Sequence, residues 1–150
     1  PATTDDVSRI MEITENPVRE EKLVRRSAEE VRENITEYLV YEKDGQVIGC
    51  CRLRYWLAEK VAEFSHLVVD PDYHHRGIAA QLLEYSEKEA GKKGMDSIFA
   101  LTTRTESWFV NRGFRLQDLS TLPREKQETY DHGRKSKIMG KPLLSSNQPD

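Results

Sequence analysis

Apolar residues recur along this chain with two periods, and the switches between them mark out its elements. Val7, Ile10, Met11 and Ile13 share one face at helical spacing behind a Thr3-Thr4-Asp5-Asp6 start, which predicts a helix that Pro17 ends. Ser27 and Glu30 stand at capping-box spacing, and Val31 and Ile35 give the short helix behind them an apolar stripe. The period then drops to two. Residues 38–42 and 46–56 read as strands joined by an Asp44-Gly45 turn, and another strand covers about 61–69 until Asp70-Pro71 stops it. Ile78, Ala79, Leu82, Leu83 and Ala90 return to helical spacing across 78–92, with Gly94 as the stop. Residues 97–102 read as a strand, 106–111 as a short helix, and Gly113 as the turn into a strand beginning at Phe114. One or two helical turns at 123–130 precede a last strand over 136–144. This order predicts one α/β domain over 1–144, in two or three layers around a mixed, largely antiparallel sheet flanked by helices, and a polar, frayed tail over 145–150.

Composition narrows the class. A chain of 150 residues, 37% apolar with two Trp, six Tyr and four Phe, fills a single core. Its apolar runs are too short to span a bilayer and it opens on no signal peptide, so no membrane is expected and the cytoplasm is the expected compartment. The start at Pro1 rather than Met reads as a domain excised from something longer. A formal net charge of -3 argues against nucleic-acid binding, and the local basic knot of Arg134, Lys135 and Lys137 suits a small acidic ligand instead. Cys50 and Cys51 are neighbours on a predicted strand, where successive side chains point to opposite faces, so no disulfide joins them. No paired-ligand spacing links them to His66, His74 or His75, so no metal is expected and they read as small core and surface residues. Neither thiol has a basic dyad beside it to make it a nucleophile.

The strongest chemical signal lies between 68 and 83. A strand, a turn and a loop bearing Gly77 open directly into a helix, whose first free N–H groups point outward at the positive end of its dipole. That arrangement cradles an anion such as a pyrophosphate. The spacing His74-x-x-Gly77-x-Ala79 resembles the Arg/Gln-x-x-Gly-x-Gly/Ala signature of the Gcn5-related N-acetyltransferases (GNAT), with His74 where Arg or Gln is usual. The resemblance implies the GNAT fold and acetyl-coenzyme A as co-substrate, held by Leu67, Val68, Val69, His74, His75, Arg76, Gly77, Ile78, Ala79 and Ala80.

Three further segments resemble one branch, the acetyltransferase domains of N-acetylglutamate synthases. These are Leu23-Val24-Arg25-Arg26-Ser27; residues 99–105 leading to Trp108-Phe109 and Arg112-Gly113-Phe114; and Leu122-Pro123 followed by Tyr130 and Arg134-Lys135-Ser136-Lys137. The branch acetylates the α-amine of L-glutamate in arginine biosynthesis, and many members carry a kinase-like domain ahead of this one. A fused or homo-oligomeric protein is therefore implied.

Chemistry asks for matching parts. Two substrate carboxylates call for arginines, which bind a carboxylate bidentately and stay charged, and Arg26 and Arg134 are the candidates. By resemblance both contact the amino acid and Ser136 adds a hydrogen bond. An ammonium must lose a proton before it attacks a thioester. On the strand into the loop, Glu63 and His66 are the groups that accept a proton readily, and a glutamate at the Glu63 position is the base in the resembling enzymes. Strict alternation puts His66 opposite Glu63 unless a bulge intervenes; a substrate-lining role is carried over for it. Thr102 resembles the Ser or Thr that protonates the departing thiolate, with Thr103, Thr105 and Tyr130 as rival donors. Two other readings stay open: transfer to another amino acid, a polyamine or a protein N-terminus, and a non-catalytic domain that senses acetyl-coenzyme A. The arginine pair repels polyamines.

Overall fold

In a computed structural model the described residues are 1–19, 26–132 and 134–143. The motif residues 23–25, the last residue of the expected final strand and the 145–150 tail lie outside them. Five helices, α1 (Val7–Arg19), α2 (Ala28–Glu33), α3 (Ile78–Lys92), α4 (Glu106–Val110) and α5 (Arg124–Thr129), accompany six strands. The strands are β1 (Tyr38–Lys43), β2 (Gln46–Trp56), β3 (Val61–Val69), β4 (Ser97–Thr102), β5 (Arg115–Gln117) and β6 (Lys137–Pro142). They hydrogen-bond in the order β1-β2-β3-β4-β6-β5. The β1–β2, β4–β6 and β5–β6 pairs are antiparallel, and β3–β4 is parallel.

The chain divides into two compact units, one of residues 1–53 and 64–86, the other of 54–63 and 87–150. In the first, Val7, Ile10 and Ile13 of α1, Val31 of α2 and Tyr38, Val47, Cys50 and Val68 from three strands form one buried cluster. Val47 and Cys50 share it despite their odd spacing because the β1–β2 register shifts between Tyr41 and Glu42, whose partners are Gly49 and Val47. Ile48 is the extra residue, and its carbonyl accepts the Asp70 N–H at 2.7 Å. The other face of β2 meets α3. A Cβ on Gly49 would stand 3.2 Å from Ile78 Cγ2 and 3.3 Å from the Val68 carbonyl, so glycine is what lets the first turn of α3 lie this close. Covered on both faces, β2 is buried continuously from Val47 to Leu53.

Two expectations are corrected here. Pro17 does not end α1, which runs on to Arg19 with the proline inside it; the backbone bond that proline forfeits is offset by burial of the helix's apolar face at Val7, Ile10 and Ile13. Cys51 is not a surface residue. Both cysteines are fully buried, Cys50 in the α1–α2 cluster and Cys51 with its Sγ 3.7 Å from Ser86 Oγ on α3. Burial pushes the Cys51 thiol up to about 12 and raises Cys50 as well, so both stay protonated.

In the second unit the start of β3 pairs with β4 through Val61↔Ser97, Ala62↔Ile98 and Glu63↔Phe99, and β6 runs antiparallel beside β4 over its whole length. Phe99, Leu122 and Ile138 are its buried centre, with Trp56, Val61, Leu101, Leu119 and Tyr130 packed against them. The next turn is pinned by rings. Phe109 lies 5.1 Å from Phe114 centroid to centroid, and the Arg112 guanidinium stacks 4.1 Å from the Trp108 ring centroid.

Arg9 ties α1 to both strand ends of the first unit, donating to the Val47 carbonyl at 2.9 Å and to Asp70 Oδ2 at 2.7 Å. The Asp72 N–H first, and then Arg9, hold the Asp70 carboxyl below its ordinary 3.8. Arg9→Met is expected to cost about 1.5–3 kcal/mol in denaturant unfolding near neutral pH, the range for hydrogen bonds to charged groups. Because the folded chain favours ionised Asp70 more than the unfolded chain does, the stability it adds is full above 3.8 and is lost as pH falls below that. The gap between wild type and Asp70→Asn therefore closes in acid, and a gap constant from pH 7 to 3 would refute the pairing.

Candidate active site

The loop marked in the sequence as an anion cradle is a short turn feeding the start of α3. The Asp70 side chain accepts the Asp72 N–H at 3.0 Å and starts a short turn at Pro71–Tyr73. His75 and Gly77 then take left-handed backbone, φ 64° and 78°, which swings the chain into α3. The first backbone bond of α3 runs from the Gln81 N–H to the Gly77 carbonyl at 3.0 Å. The N–H groups of Ile78, Ala79 and Ala80 thus have no acceptor within the helix, and His75, Arg76 and Gly77 are exposed beside them. His74 does not reach outward. Its Nε2 lies 2.8 Å from the Val69 carbonyl and ties the loop back to β3. Arg76 stacks 5.2 Å from the Tyr73 ring centroid.

Upstream of the loop, His66 interrupts the regular pleat of β3 with a left-handed φ of 55°, the distortion that alternation alone left open. Its ring is buried at 7% exposure, edge-on to Tyr38 with centroids 5.8 Å apart. Burial, and then the positive charges of Arg26 and Arg52, depress the imidazole to about 4. His66 is neutral at pH 7. Arg52, itself 7% exposed, spends its charge on Glu37, at 2.5 and 2.6 Å to Oε2. Arg26 Nε and His66 Nε2 are buried nitrogens with no hydrogen-bond partner among the described residues, and a cationic side chain with a donor to spare is a group that a carboxylate can complete.

The second unit holds the other candidates. Glu63 is 4% exposed and its Oε2 lies 3.4 Å from Lys126 Nζ on α5. Thr102, 6% exposed, sits at the end of β4 with its Oγ1 2.6 Å from Thr105 Oγ1, and it accepts the Thr105 N–H at 3.0 Å. Its hydroxyl is thus wired to that of its rival Thr105. Tyr130 donates its hydroxyl to the Ser136 carbonyl, which occupies it and fixes the bend before β6. Ser136 is buried and Arg134 is half-buried, its backbone N–H bonded to Asp131. Among the described residues no acidic group pairs with the Arg134 guanidinium.

Lys126, Arg52 and Tyr38 escape a reading of the sequence. Lys126 lies in the matched Leu122–Tyr130 stretch, but α5 reads Arg-Glu-Lys-Gln-Glu-Thr, with no apolar stripe to say which face turns inward. Among the described residues no group of three His, Cys, Asp or Glu is placed to hold a metal ion, and no helix is long and apolar enough to cross a membrane.

Comparison with known proteins places this geometry. The acetyltransferase (GNAT) family model matches residues 4–114. An amino-acid acetyltransferase of Mannheimia succiniciproducens is 37% identical over 142 residues, 95% of this chain and 32% of that protein. The chain thus spans about a third of the length of the curated relatives it matches. N-acetylglutamate synthase from Neisseria gonorrhoeae, solved with coenzyme A and N-acetyl-glutamate, superposes with a TM-score of 0.91 at 29% identity, over 95% of this chain and 34% of that one. Tetrahymena GCN5, at 17% identity and a TM-score of 0.70 over 91% of this chain and 86% of its own, shares the fold.

The depressed imidazole carries a stability test. An unfolded chain takes up a proton on His66 below its ordinary 6.5, whereas the folded chain resists until about 4. Stability is therefore lost as pH falls through that window. Over the 2.5 units between 6.5 and 4, at about 1.4 kcal/mol per unit, the wild type should lose up to about 3 kcal/mol more than His66→Gln. Urea titrations at several pH values measure it, and equal slopes would place His66 in a solvated setting.

Proposed function

As the chain belongs to the acetyltransferase (GNAT) family, we propose that it moves the acetyl group of acetyl-coenzyme A to the α-amine of an amino acid, L-glutamate, the step that commits glutamate to arginine synthesis. The observation that carries the acceptor is the pair of orphaned nitrogens, Arg26 Nε and His66 Nε2. A guanidinium whose buried Nε lacks a partner, beside an imidazole kept neutral, fits a carboxylate and penalises an occupant without one. Names carried by the relatives support an amino-acid acceptor, and the Neisseria complex supports glutamate in particular.

Each residue then has one task. The N–H groups of Ile78, Ala79 and Ala80 take the pyrophosphate of the co-substrate, with Gly77 making the turn that aims them. Arg26 and Arg134 each take a carboxylate, and Ser136 adds a hydrogen bond. Glu63 accepts a proton from the substrate ammonium, and the freed amine nitrogen attacks the thioester carbonyl carbon. As the carbon–sulfur bond breaks, the coenzyme A thiolate takes its proton from Thr102, and the second proton that the attacking nitrogen sheds returns to Thr102 through the Thr105 hydroxyl.

Three measurements test this reading. Glu63→Gln should leave both ligands bound while slowing transfer about 10² to 10⁴-fold near neutral pH, with the defect shrinking as rising pH supplies free amine. Profiles that run parallel within tenfold would remove Glu63 from the chemistry. In calorimetry with coenzyme A, Gly77→Val, which forces a β-branched residue to φ 78°, should weaken binding far more than His74→Ala; the reverse order would displace the pyrophosphate from this loop. Glutamine should lose on the order of 2 to 5 kcal/mol against glutamate in kcat/KM, the cost of leaving a buried charge unpaired. Equal constants would reduce the acceptor to a generic α-amino acid.

A further inference from the structure

The acetyl-transfer reading leaves Lys126, a half-buried cation beside Glu63, without a task. Lys126 reaches Glu63 with its side chain 16% exposed, and that of Glu63 is 5% exposed. A lysine at that depth gives up solvation that one contact at 3.4 Å only partly returns, and a six-residue polar helix has a cheaper place for it on its outer face. Its position is not incidental, because three successive residues of α5 grip the hairpin between β2 and β3. The Arg124 N–H donates to Glu59 Oε2 at 3.1 Å, Glu125 accepts from Trp56 Nε1 at 3.2 Å and from Arg54 at 3.4 Å, and Lys126 is the third.

The other groups around Glu63 are accounted for. It shares a face of β3 with Val61, which packs in the Phe99 cluster, and its partner across the parallel ladder is Phe99 itself, which carries no charge. Glu59, Glu125 and Arg54 are engaged with one another's elements as above, and Tyr130 donates to the Ser136 carbonyl. Among the described residues the charged group in contact with Glu63 is Lys126. An alkylammonium against this carboxylate is also what a substrate α-ammonium must become before it gives up its proton.

We propose that Lys126 is a positioning residue that stands in for the substrate's ammonium: it holds the Glu63 carboxylate ionised and oriented between turnovers and yields it to the incoming amine. The inference rests on Glu63 being the base.

The test is kcat and KM against pH, on the full chain, for the wild type, K126M, K126R, E63Q and the E63Q/K126M double variant, each first checked by thermal melting. Without its cation a buried carboxylate is protonated more easily, so the acid limb of kcat/KM for K126M, which reports the free enzyme, should move up by about one pH unit or more. On the acid side of the limb this reads as a loss of about tenfold or more that fades as the pH rises above it. K126R should restore the limb, and K126M should add nothing to E63Q. K126Q replaces K126M if the latter does not fold. An unmoved acid limb, additive losses in the double variant, or no rescue by K126R would overturn the proposal, and so would a chain that folds with neither neutral residue, since Lys126 would then be framework. E63Q alone reports on the base itself: if its defect does not shrink with pH, the reading of Glu63 has failed, whereas a pH-dependent E63Q beside an unmoved K126M limb removes Lys126 alone.

Discussion

The close approach of α3 to β2 at Gly49 is the constraint on which the first unit turns. A methyl group there would press on Ile78 and on the Val68 carbonyl together, one from the first turn of α3 and one from the end of β3. The contact therefore sets the height at which the helix begins relative to the strand that feeds it. Every feature of the loop follows from that height. Seven residues, Asp70 to Arg76, separate the end of β3 from Gly77, and the gap is closed by a short helical turn and by left-handed backbone at His75 and at Gly77 itself. The amides that emerge unpartnered at Ile78, Ala79 and Ala80 are a consequence of chain geometry, with no side chain needed to make them. His74 serves this geometry as a tether to Val69.

Buried charge is handled in two ways, and the difference separates framework from site. Arg52 is saturated by Glu37 and Arg9 by Asp70 and the Val47 carbonyl, so these cations hold elements together. Arg26 and His66 keep a nitrogen each in reserve. Leaving such a group unmade is costly in a folded protein, and an arrangement that tolerates it is one that a ligand completes. The left-handed backbone of His66 adds to the strain, for a non-glycine residue pays to sit there. Glu63 lies between these cases, paired with Lys126 but through a single contact at the long end of an ionic interaction.

Much of this was legible beforehand. The Gly77 loop could be read because its chemistry is local: a turn, a glycine and a helix start lie within ten residues, and their spacing alone dictates where amides point. Arg26, Glu63, Arg134 and Ser136 stand as candidates because carboxylates and ammonium groups demand particular side chains and because the motifs around them are ordered along the chain. The two misread positions share a cause. Pro17 was judged by its intrinsic tendency to break helices, and packing of the apolar face of α1 outweighed that tendency. The pair Cys50 and Cys51 was divided between core and surface by alternation, which assumes one wet face, and β2 has none over its central stretch.

Period, turn chemistry and caps are properties of neighbours in the chain, and so the sequence by itself determined the elements, their order and the loop that offers free amides. The depth of Glu63, the neutral state of His66, the orphaned nitrogen of Arg26 and the choice of Lys126 among the charges of α5 belong to tertiary structure. Each depends on which groups from distant segments exclude water and which supply a countercharge, and desolvation and Coulomb energies are set by distances in space that no spacing along the chain encodes.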